Sequence, residues 1–468
     1  SICSLPIERP SVCKFLANLN KNIYNKKMNE LIAVSTGLLA GTVTGIVPGA
    51  GVMVAMIVAT PLLLSFDVVQ LLLFYMSLAS MVQFTGTIPA IYLGIPGETN
   101  SLPAVIEGTK FNKHKVAKLA IGISALGSVL GSMIAVVITF ILISLLVSHM
   151  TIFFSNVTKF YLYIFIIAFC LLVYNKKNIL VNAILCIIGF GLSVPGENDI
   201  SPDFRYTFGI EDMQFGIPLI PVLLGFLVFP TIFKMFDIKS KSSLMPNTDI
   251  AFNKVINYFR KKCVPSALRG SIIGYFCGFV PGVSTVLSTN ASYSVEKKLH
   301  PHTPAKLLVS SETANNSGQF ASMLPLLLIG IPITGSEIVL YSLLVDAGWS
   351  PFQFDKVANN ADMIFRQIVP WFVVANIIGI IVAWPLARKI LQTFANTKKI
   401  MVVILALGML ILNTYLGIID YRVWFYTACL VVFSCVGFFI RKYETIPLIF
   451  MFILGNDIEG VFYRQWLI

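Results

Sequence analysis

Residues 37–49 read GLLAGTVTGIVPG, and residues 270–282 read GSIIGYFCGFVPG. Both follow the pattern G-x3-G-x3-G-x2-P-G, and they lie 233 residues apart inside apolar parts of the chain. A second pair of motifs follows each copy, because residues 89–96 (PAIYLGIP) match residues 325–332 (PLLLIGIP) at an offset of 236. Matches at fixed offsets predict an internal duplication in which each half carries two hydrophobic segments broken by Gly and Pro.

The composition is that of a polytopic membrane protein. Of 468 residues, 56% are hydrophobic and 12% are charged, whereas soluble domains carry roughly 25% charged residues. Residues 28–109 contain no Lys or Arg. We expect an all-α fold, because backbone groups that face lipid have no water partner and must bond within helices. The net charge of +12 does not indicate nucleic acid, since the basic residues lie mainly in short loops between apolar segments.

The predicted organisation is a polar N-terminal tail (1–28), a first membrane repeat (29–234), a polar linker (235–263) and a second membrane repeat (264–468). The tail is expected to be disordered or interfacial. The tail is followed by apolar segments, most of them near the roughly 20 residues that a membrane span needs. The apolar segments are 31–65, 67–86, 88–106, 116–148, 151–174, 178–195, 216–233, 265–295, 307–344, 365–391, 400–418, 423–440 and 444–455.

The charges of the loops favour two inverted repeats. Loop 64–69 has no basic residue, whereas its counterpart 296–306 has three lysines. The bias reverses at the next pair, since 108–118 has four lysines and 345–363 has one. Opposite bias in equivalent loops indicates halves inserted in opposite directions. The basic linker 235–262 indicates parallel halves if it shares the cytoplasmic side with the tail, so that alternative stays open.

The Pro-Gly breaks are candidate anion sites. Proline breaks a helix and glycine permits unusual dihedrals, and a helix that restarts there exposes N–H groups that suit a carboxylate. The alternative is that the glycine rows are packing faces, which we expect for Gly37, Gly41, Gly270 and Gly274. The residues expected to donate to an anion are Gly49, Ala50, Gly51, Gly282, Ser284 and Thr285.

Polar residues follow the second break of each half, and a dense polar run occupies residues 310–319 (SSETANNSGQ). A carboxylate at membrane depth is by default a functional hypothesis. The alternatives are solvated carboxylates at an interface and, for 310–319, a capping turn outside the membrane. The further candidates are Thr85, Gly97, Asn100, Asn315, Asn316, Gly335 and Ser336 for substrate, Glu98, Glu312 and Glu337 for ion coupling, and Pro96, Gly97 and Thr334 for Na⁺.

The sequence does not indicate an enzyme. It contains no Walker A loop, no G-x-S-x-G and no H-E-x2-H, which are the patterns of common hydrolytic sites. Its eight cysteines are scattered and its four histidines do not cluster, so neither a disulfide framework nor a metal centre is expected. We expect no cofactor beyond a coupling ion.

The motifs together resemble the large membrane subunit of the tripartite tricarboxylate transporters. The resemblance is carried by residues 41–51, 86–97, 278–282, 312–316 and 330–332 in this order and spacing. It implies a secondary transporter of a prokaryotic cytoplasmic membrane, working with a small membrane subunit and a periplasmic protein that delivers a carboxylate such as citrate. Glu98 and Asn100 depart from the family, where small residues, Thr or Ser are common.

The expected function is import of a small organic anion, a di- or tricarboxylate, by alternating access driven by Na⁺ or H⁺. A channel or gradient-independent pore remains the alternative, because polar re-entrant segments also line channels. An intramembrane enzyme and a scaffold without transport are further alternatives. The first lacks histidine ligands, and the second leaves the paired breaks unexplained.

Overall fold

The computed structural model describes residues 9–47, 51–94, 98–153, 156–173, 175, 178–198, 201–230, 249–280, 284–349 and 362–466. The first half contains α1 (Arg9–Ile46), α2 (Gly51–Leu63), α3 (Val68–Leu93), a 3-10 turn (Thr99–Ser101), α4 (Leu102–Lys113), α5 (Ala117–Phe153), α6 (Asn156–Val173), α7 (Ile179–Ser193), β1 (Gly196–Asn198), β2 (Ser201–Arg205), a second 3-10 turn (Glu211–Phe215) and α8 (Leu219–Leu223), which continues as a π-helix (Leu224–Val228).

All the regular secondary structure described in the second half is helical. It contains α9 (Phe252–Lys262), α10 (Val264–Cys277), α11 (Ser284–Leu299), α12 (Pro304–Ile329), α13 (Gly335–Asp346), a π-turn (Ile364–Ile368), α14 (Val369–Ile419), α15 (Val423–Ile440) and α16 (Ile446–Trp466). Among the described helices, those long and apolar enough to cross a membrane are Val68–Leu93, Ala117–Ile143, Ile364–Val382 and Val423–Ile440. The predicted all-α polytopic class is confirmed.

The predicted helix breaks are present in both halves. α1 ends before the first Pro-Gly motif and α2 begins after it, and α10 and α11 flank the second motif in the same way. Residues 48–50 and 281–283 themselves lie outside the described residues. The next breaks begin at Gly94 and Gly330, which end α3 and α12 with left-handed φ values of 66° and 74°. Glycine adopts this conformation at little energetic cost, which explains why both helices stop there.

The glycine rows bring pairs of helices into backbone contact. A Cβ atom on Gly41 would lie 2.7 Å from a carbonyl oxygen of α3, and one on Gly274 would lie 2.3 Å from a carbonyl oxygen of α12. The packing role predicted for the leading glycines is therefore confirmed. The contacts pair Gly37 with Phe74, Gly41 with Leu78 and Gly45 with Val82, and Gly270 with Ser310, Gly274 with Ala314 and Gly278 with Gly318.

The partners of the second glycine row lie 236 positions after those of the first. In both pairs the residue numbers rise together, so α1 runs parallel to α3 and α10 runs parallel to α12. The two long helices run in opposite directions. The last turns of α3 share a buried apolar cluster with the first turns of α12, whereas Tyr75, near the start of α3, accepts a hydrogen bond from Gln319 at 3.2 Å. Inverted repeats require these directions, which support that prediction without establishing the duplication.

The basic segments 108–118, 249–262 and 296–306 meet at one end of the fold. The Tyr293 hydroxyl of α11 donates to the Glu107 carboxylate of α4 at 2.8 Å, and Lys118 at the start of α5 pairs with Asp249 before α9. The Lys118 ammonium holds the pKa of the Asp249 carboxyl below its usual range. This common end agrees with the loop charges from which inversion was predicted.

Four details differ from the sequence predictions. α3 continues through Pro89 where a boundary was expected between 67–86 and 88–106, because every residue from Leu71 to Tyr92 is buried and an uninterrupted helix satisfies its backbone. α14 is one helix where two segments were expected. Residues 9–28, predicted as a disordered or interfacial tail, belong to α1. The short antiparallel pair β1–β2 interrupts the helical pattern after α7.

The glycine contacts predict unequal effects of one substitution at two positions. Gly274→Ala forces a methyl group against the α12 backbone, and overpacking of this kind costs roughly 1–3 kcal/mol. Gly408→Ala in α14 meets no atom within 4 Å and should be neutral or stabilising, since Ala is the better helix former. Thermal unfolding of the purified variants measures the difference. Equal midpoints would contradict the packing role of the row.

Candidate functional site

A carboxylate lies at the N-terminus of α2. The Val52 N–H donates to Glu98 Oε1 at 2.8 Å. The preceding residue, Gly51, has φ of 58°, and a Cβ atom there would lie 2.4 Å from Glu98 Oε1. Glycine at this position therefore allows the carboxylate to approach a helix end that attracts anions. The predicted anion position at Gly51 is thus next to a carboxyl group that belongs to the chain itself.

Glu98 is connected to the second half of the protein through Asn100. The Asn100 side-chain amide donates to Glu98 Oε2 at 3.2 Å and to Asn315 Oδ1 at 2.9 Å. Asn100 and Asn315 are 4% and 3% exposed. The structure therefore brings together three of the predicted site residues, from the loop after α3 and the middle of α12, in one buried network.

The second break, between α12 and α13, is closed by Glu337. Its Oε2 atom accepts the backbone N–H groups of Ile333 at 2.9 Å and Thr334 at 3.0 Å, and its Oε1 atom accepts the Ser322 hydroxyl at 2.5 Å. Thr334 caps the helix reciprocally by accepting the Glu337 N–H, which makes a capping box. Glu337 is fully buried, so the alternative of a solvated interfacial carboxylate is wrong for this residue.

The start of α13 also contacts the first half. Ser336 Oγ lies 3.0 Å from the hydroxyl oxygen of Tyr75, which accepts the amide of Gln319 at 3.2 Å. A Cβ atom on Gly335 would lie 3.0 Å from Met53 Sδ in α2. Helix starts that follow one break in each half therefore lie side by side.

The polar run 310–319 lies in the interior of α12, and all its residues except Gln319 are buried. The alternative of a capping turn outside the membrane is therefore wrong. Helical periodicity divides the run by face. Asn315 points to the loop after α3, and the Thr313 backbone contacts Gly131 of α5. Glu312 and Asn316 share the face between them, and one Glu312 carboxylate oxygen is buried without a hydrogen-bond partner.

A small cavity lies beside this face of α12. Its volume of about 10 Å³ is room for about one water molecule. Within it or at its edge, both side-chain amide atoms of Gln83 and the hydroxyl of Ser132 are buried without partners. The lining residues are Met76, Ala79, Ser80, Gln83, Ser132, Asn316, Gln319, Phe320 and Phe372.

The remaining predicted residues are placed as follows. Thr85 donates to carbonyl oxygens of Met81 and Gly41 at 2.8 and 3.0 Å, so its hydroxyl already serves the α1–α3 contact. Ser284 begins α11 with a buried hydroxyl that has no partner in the described structure, and Thr285 next to it is half-buried. The candidates that lie outside the described residues are Gly49, Ala50, Pro96, Gly97 and Gly282.

The sequence analysis missed Tyr75, Gln83, Ser132 and Ser322. Tyr75, Gln83 and Ser322 each lie between apolar neighbours, and no local pattern distinguishes such a residue from one that packs in a core. Ser132 ends a row with Ser124 and Ser128 at four-residue spacing, which is a local signal. A further signal is the absence of charged residues next to these polar side chains in the sequence. A glutamine at membrane depth in an uncharged apolar helix indicates a polar partner or a ligand.

The fold and site define a polytopic helical membrane protein whose broken helices surround buried polar side chains, an arrangement typical of secondary transporters. The chain belongs to the tripartite tricarboxylate transporter TctA family, because the model of that family matches residues 31–452. The family expected from the motifs is confirmed, and it is a family of transporters rather than of enzymes.

Relatives extend over most of the chain. An uncharacterized 52.8 kDa protein in the TAR-I ttuC' 3' region of Agrobacterium vitis is 25% identical over 450 residues, which are 92% of this chain and 86% of the relative. An uncharacterized protein of Methanocaldococcus jannaschii is 24% identical over 310 residues, which are 66% of this chain and 71% of that protein. No solved structure matches the chain.

The geometry at α2 predicts graded effects at Glu98. Glu98→Ala leaves the Val52 N–H without its partner, and an unsatisfied buried donor costs about 1–3 kcal/mol. Glu98→Gln keeps an acceptor oxygen but loses the charge at the helix end, so its loss should be smaller. Thermal unfolding of both variants tests this order. A Glu98→Ala protein as stable as the wild type would show that the contact does not hold the break.

Proposed function

We propose that this chain is the ion-coupled permease subunit of a tripartite transporter and that it imports a di- or tricarboxylate by alternating access. The observation that carries the proposal is the carboxylate of Glu98 at the α2 N-terminus, since this position accommodates the chemical group that the proposed substrate would present. The family description and the buried link from Asn100 to Asn315 support the same function. A di- or tricarboxylate has more than one carboxylate group and would bind more than one N–H or amide donor.

The proposed substrate site lies between the two halves, where α2 and α13 begin after their breaks. Asn100 and Asn315 join the halves, and Ser284 supplies an unpartnered hydroxyl at the start of α11. Because the Val52 N–H at the α2 end is held by Glu98, we propose that substrate binding displaces this carboxylate. The other residues assigned to substrate by this proposal are Gly49, Ala50, Gly51, Thr85, Gly97, Gly282, Thr285, Asn316, Gly335 and Ser336.

Among the three candidate carboxylates, we assign ion coupling to Glu312. The Glu337 oxygens accept hydrogen bonds from the backbone and Ser322, and Glu98 is held by Val52 and Asn100. Glu312 is 3% exposed and one of its oxygens has no partner. An unpaired buried carboxylate is costly unless it binds a proton or a cation, so this residue has the chemistry that coupling to Na⁺ or H⁺ requires.

The proposed setting is a prokaryotic cytoplasmic membrane. The family name indicates a transporter of three components, and we propose that this chain works with a small membrane subunit and a periplasmic solute-binding protein. In this arrangement the soluble protein captures the anion and the present chain moves it across the bilayer.

The substrate class is tested by thermal unfolding of the purified protein with a panel of di- and tricarboxylates, each with and without Na⁺. We expect a carboxylate to raise the unfolding midpoint, because a ligand that binds only the folded state stabilises it. Stabilisation by neutral sugars alone would contradict the anion site. Uptake into proteoliposomes that is unaffected by ionophores would contradict coupled transport and favour a channel or pore.

The residue assignment is tested at Asn315. Asn315→Leu removes the amide that links α12 to Asn100, and we expect uptake of the carboxylate found above to fall at least about tenfold, as for a lost interaction of about 1.4 kcal/mol. Asn413→Leu, which removes a buried amide of α14, is the matched control. Equal uptake by the two variants at equal amounts in the membrane would contradict the site.

A further inference from the structure

The crevice between α3, α5 and α12 holds more unpartnered polar groups than packing explains. Gln83 is 4% exposed and neither its amide nitrogen nor its oxygen has a hydrogen bond. The buried hydroxyl of Ser132, across the same cavity, also has none. Buried polar side chains in folded proteins are nearly always paired, and exceptions indicate bound water or an ion.

The crevice continues along α5 beyond the cavity. Ser124 and Ser128 precede Ser132 at spacings of four residues, so the three lie on one face of the helix. All three are buried and their hydroxyls have no partners. Gly127 and Gly131 contact α12, and this fixes the serine face toward the edge of the α5–α12 contact. The polar row therefore runs beside α12 rather than toward lipid.

A carboxylate lies beside the crevice, and no basic residue lines the cavity. Glu312 precedes the cavity residue Asn316 by one helical turn on the same face of α12, and its carboxylate is buried with an unpartnered oxygen. None of the residues that line the cavity is basic. If this carboxylate is ionised, it lacks a counter-charge among neutral oxygen atoms, and one monovalent cation would supply it.

We propose that this crevice is a binding site for one monovalent cation of the size of Na⁺. Its ligands are the side-chain oxygens of Gln83, Ser132 and Asn316, with Glu312 as the counter-charge. Oxygen ligands suit hard cations, and the cavity volume matches one ion or one water. The inference rests on the proposed function in that the cation would be the coupling ion. It moves that ion away from Pro96, Gly97 and Thr334, near which the sequence predicted it, and it reassigns Asn316 from the substrate to the ion.

The test measures binding without transport. The purified full chain is heated in NaCl and in choline chloride at equal ionic strength, with no carboxylate present. We expect Na⁺ to raise the unfolding midpoint in a saturable way. Gln83→Leu, Ser132→Ala and Glu312→Gln should each weaken the apparent affinity for Na⁺ by at least about tenfold. Ser434→Ala, which removes an unpartnered buried hydroxyl on α15, should leave it unchanged.

Three outcomes would overturn the proposal. They are equal midpoints in Na⁺ and choline, a Na⁺ effect that survives in Ser132→Ala and Glu312→Gln alike, and stabilisation that follows pH alone, which would assign a proton to Glu312. The Na⁺ effect on unfolding and the ion dependence of uptake together distinguish failure of this site from failure of the proposed function. Loss of the Na⁺ effect in the variants, together with uptake that ignores ion gradients, supports the site and rejects coupling. Ion-coupled uptake with an unchanged Na⁺ effect rejects the site alone.

Discussion

A helix that ends inside an apolar protein must find partners for its free N–H and C=O groups within the chain, and this fold contains several such ends. Glu98 accepts an N–H group at the α2 N-terminus, and the Thr334–Glu337 capping box closes the α13 N-terminus. Each solution fixes more than one helix, because Glu98 also reaches Asn100 and Glu337 also reaches Ser322. The carboxylates that close the breaks thereby position the residues around the proposed site.

The same constraint explains why the two halves meet where they do. Glycine rows hold α1 against α3 and α10 against α12, and the two pairs run in opposite directions. The polar loop after α3 can then reach the middle of α12, and the start of α13 can reach Tyr75. The proposed alternating access requires two bodies that move around a shared site, and the hydrogen bonds between the halves are contacts that such motion would make and break.

Sequence reasoning succeeded where the physical cause is local. Glycine and proline act through their own backbone, so the breaks near Pro48 and Pro281 and the packing faces around Gly41 and Gly274 could be predicted. The continuation of α3 through Pro89 could not, because burial on every side decided it. Likewise, the polar composition of residues 1–28 does not indicate that residues 9–28 belong to a long helix.

The site was predicted as a set of residues but not as a set of contacts. Glu98, Asn100 and Asn315 were named from their polarity, whereas their bonding depends on a fold that joins residues 46 and 215 positions apart. The same limit applies to Gln83 and Ser132, which become informative only when both are seen to lack partners beside one cavity. Charge and polarity along a sequence identify candidates, and the pairing that gives them roles is a tertiary property.

The directions of α3 and α12 imply that the two halves enter the membrane in opposite directions. This inversion is tested most directly by labelling single cysteines in a cysteine-free background with a membrane-impermeant maleimide. Ser65→Cys lies in the exposed turn between α2 and α3, and His302→Cys lies in the corresponding exposed turn between α11 and α12. If the halves are inverted, the two positions react from opposite sides of the membrane. Labelling of both from the same side would contradict it.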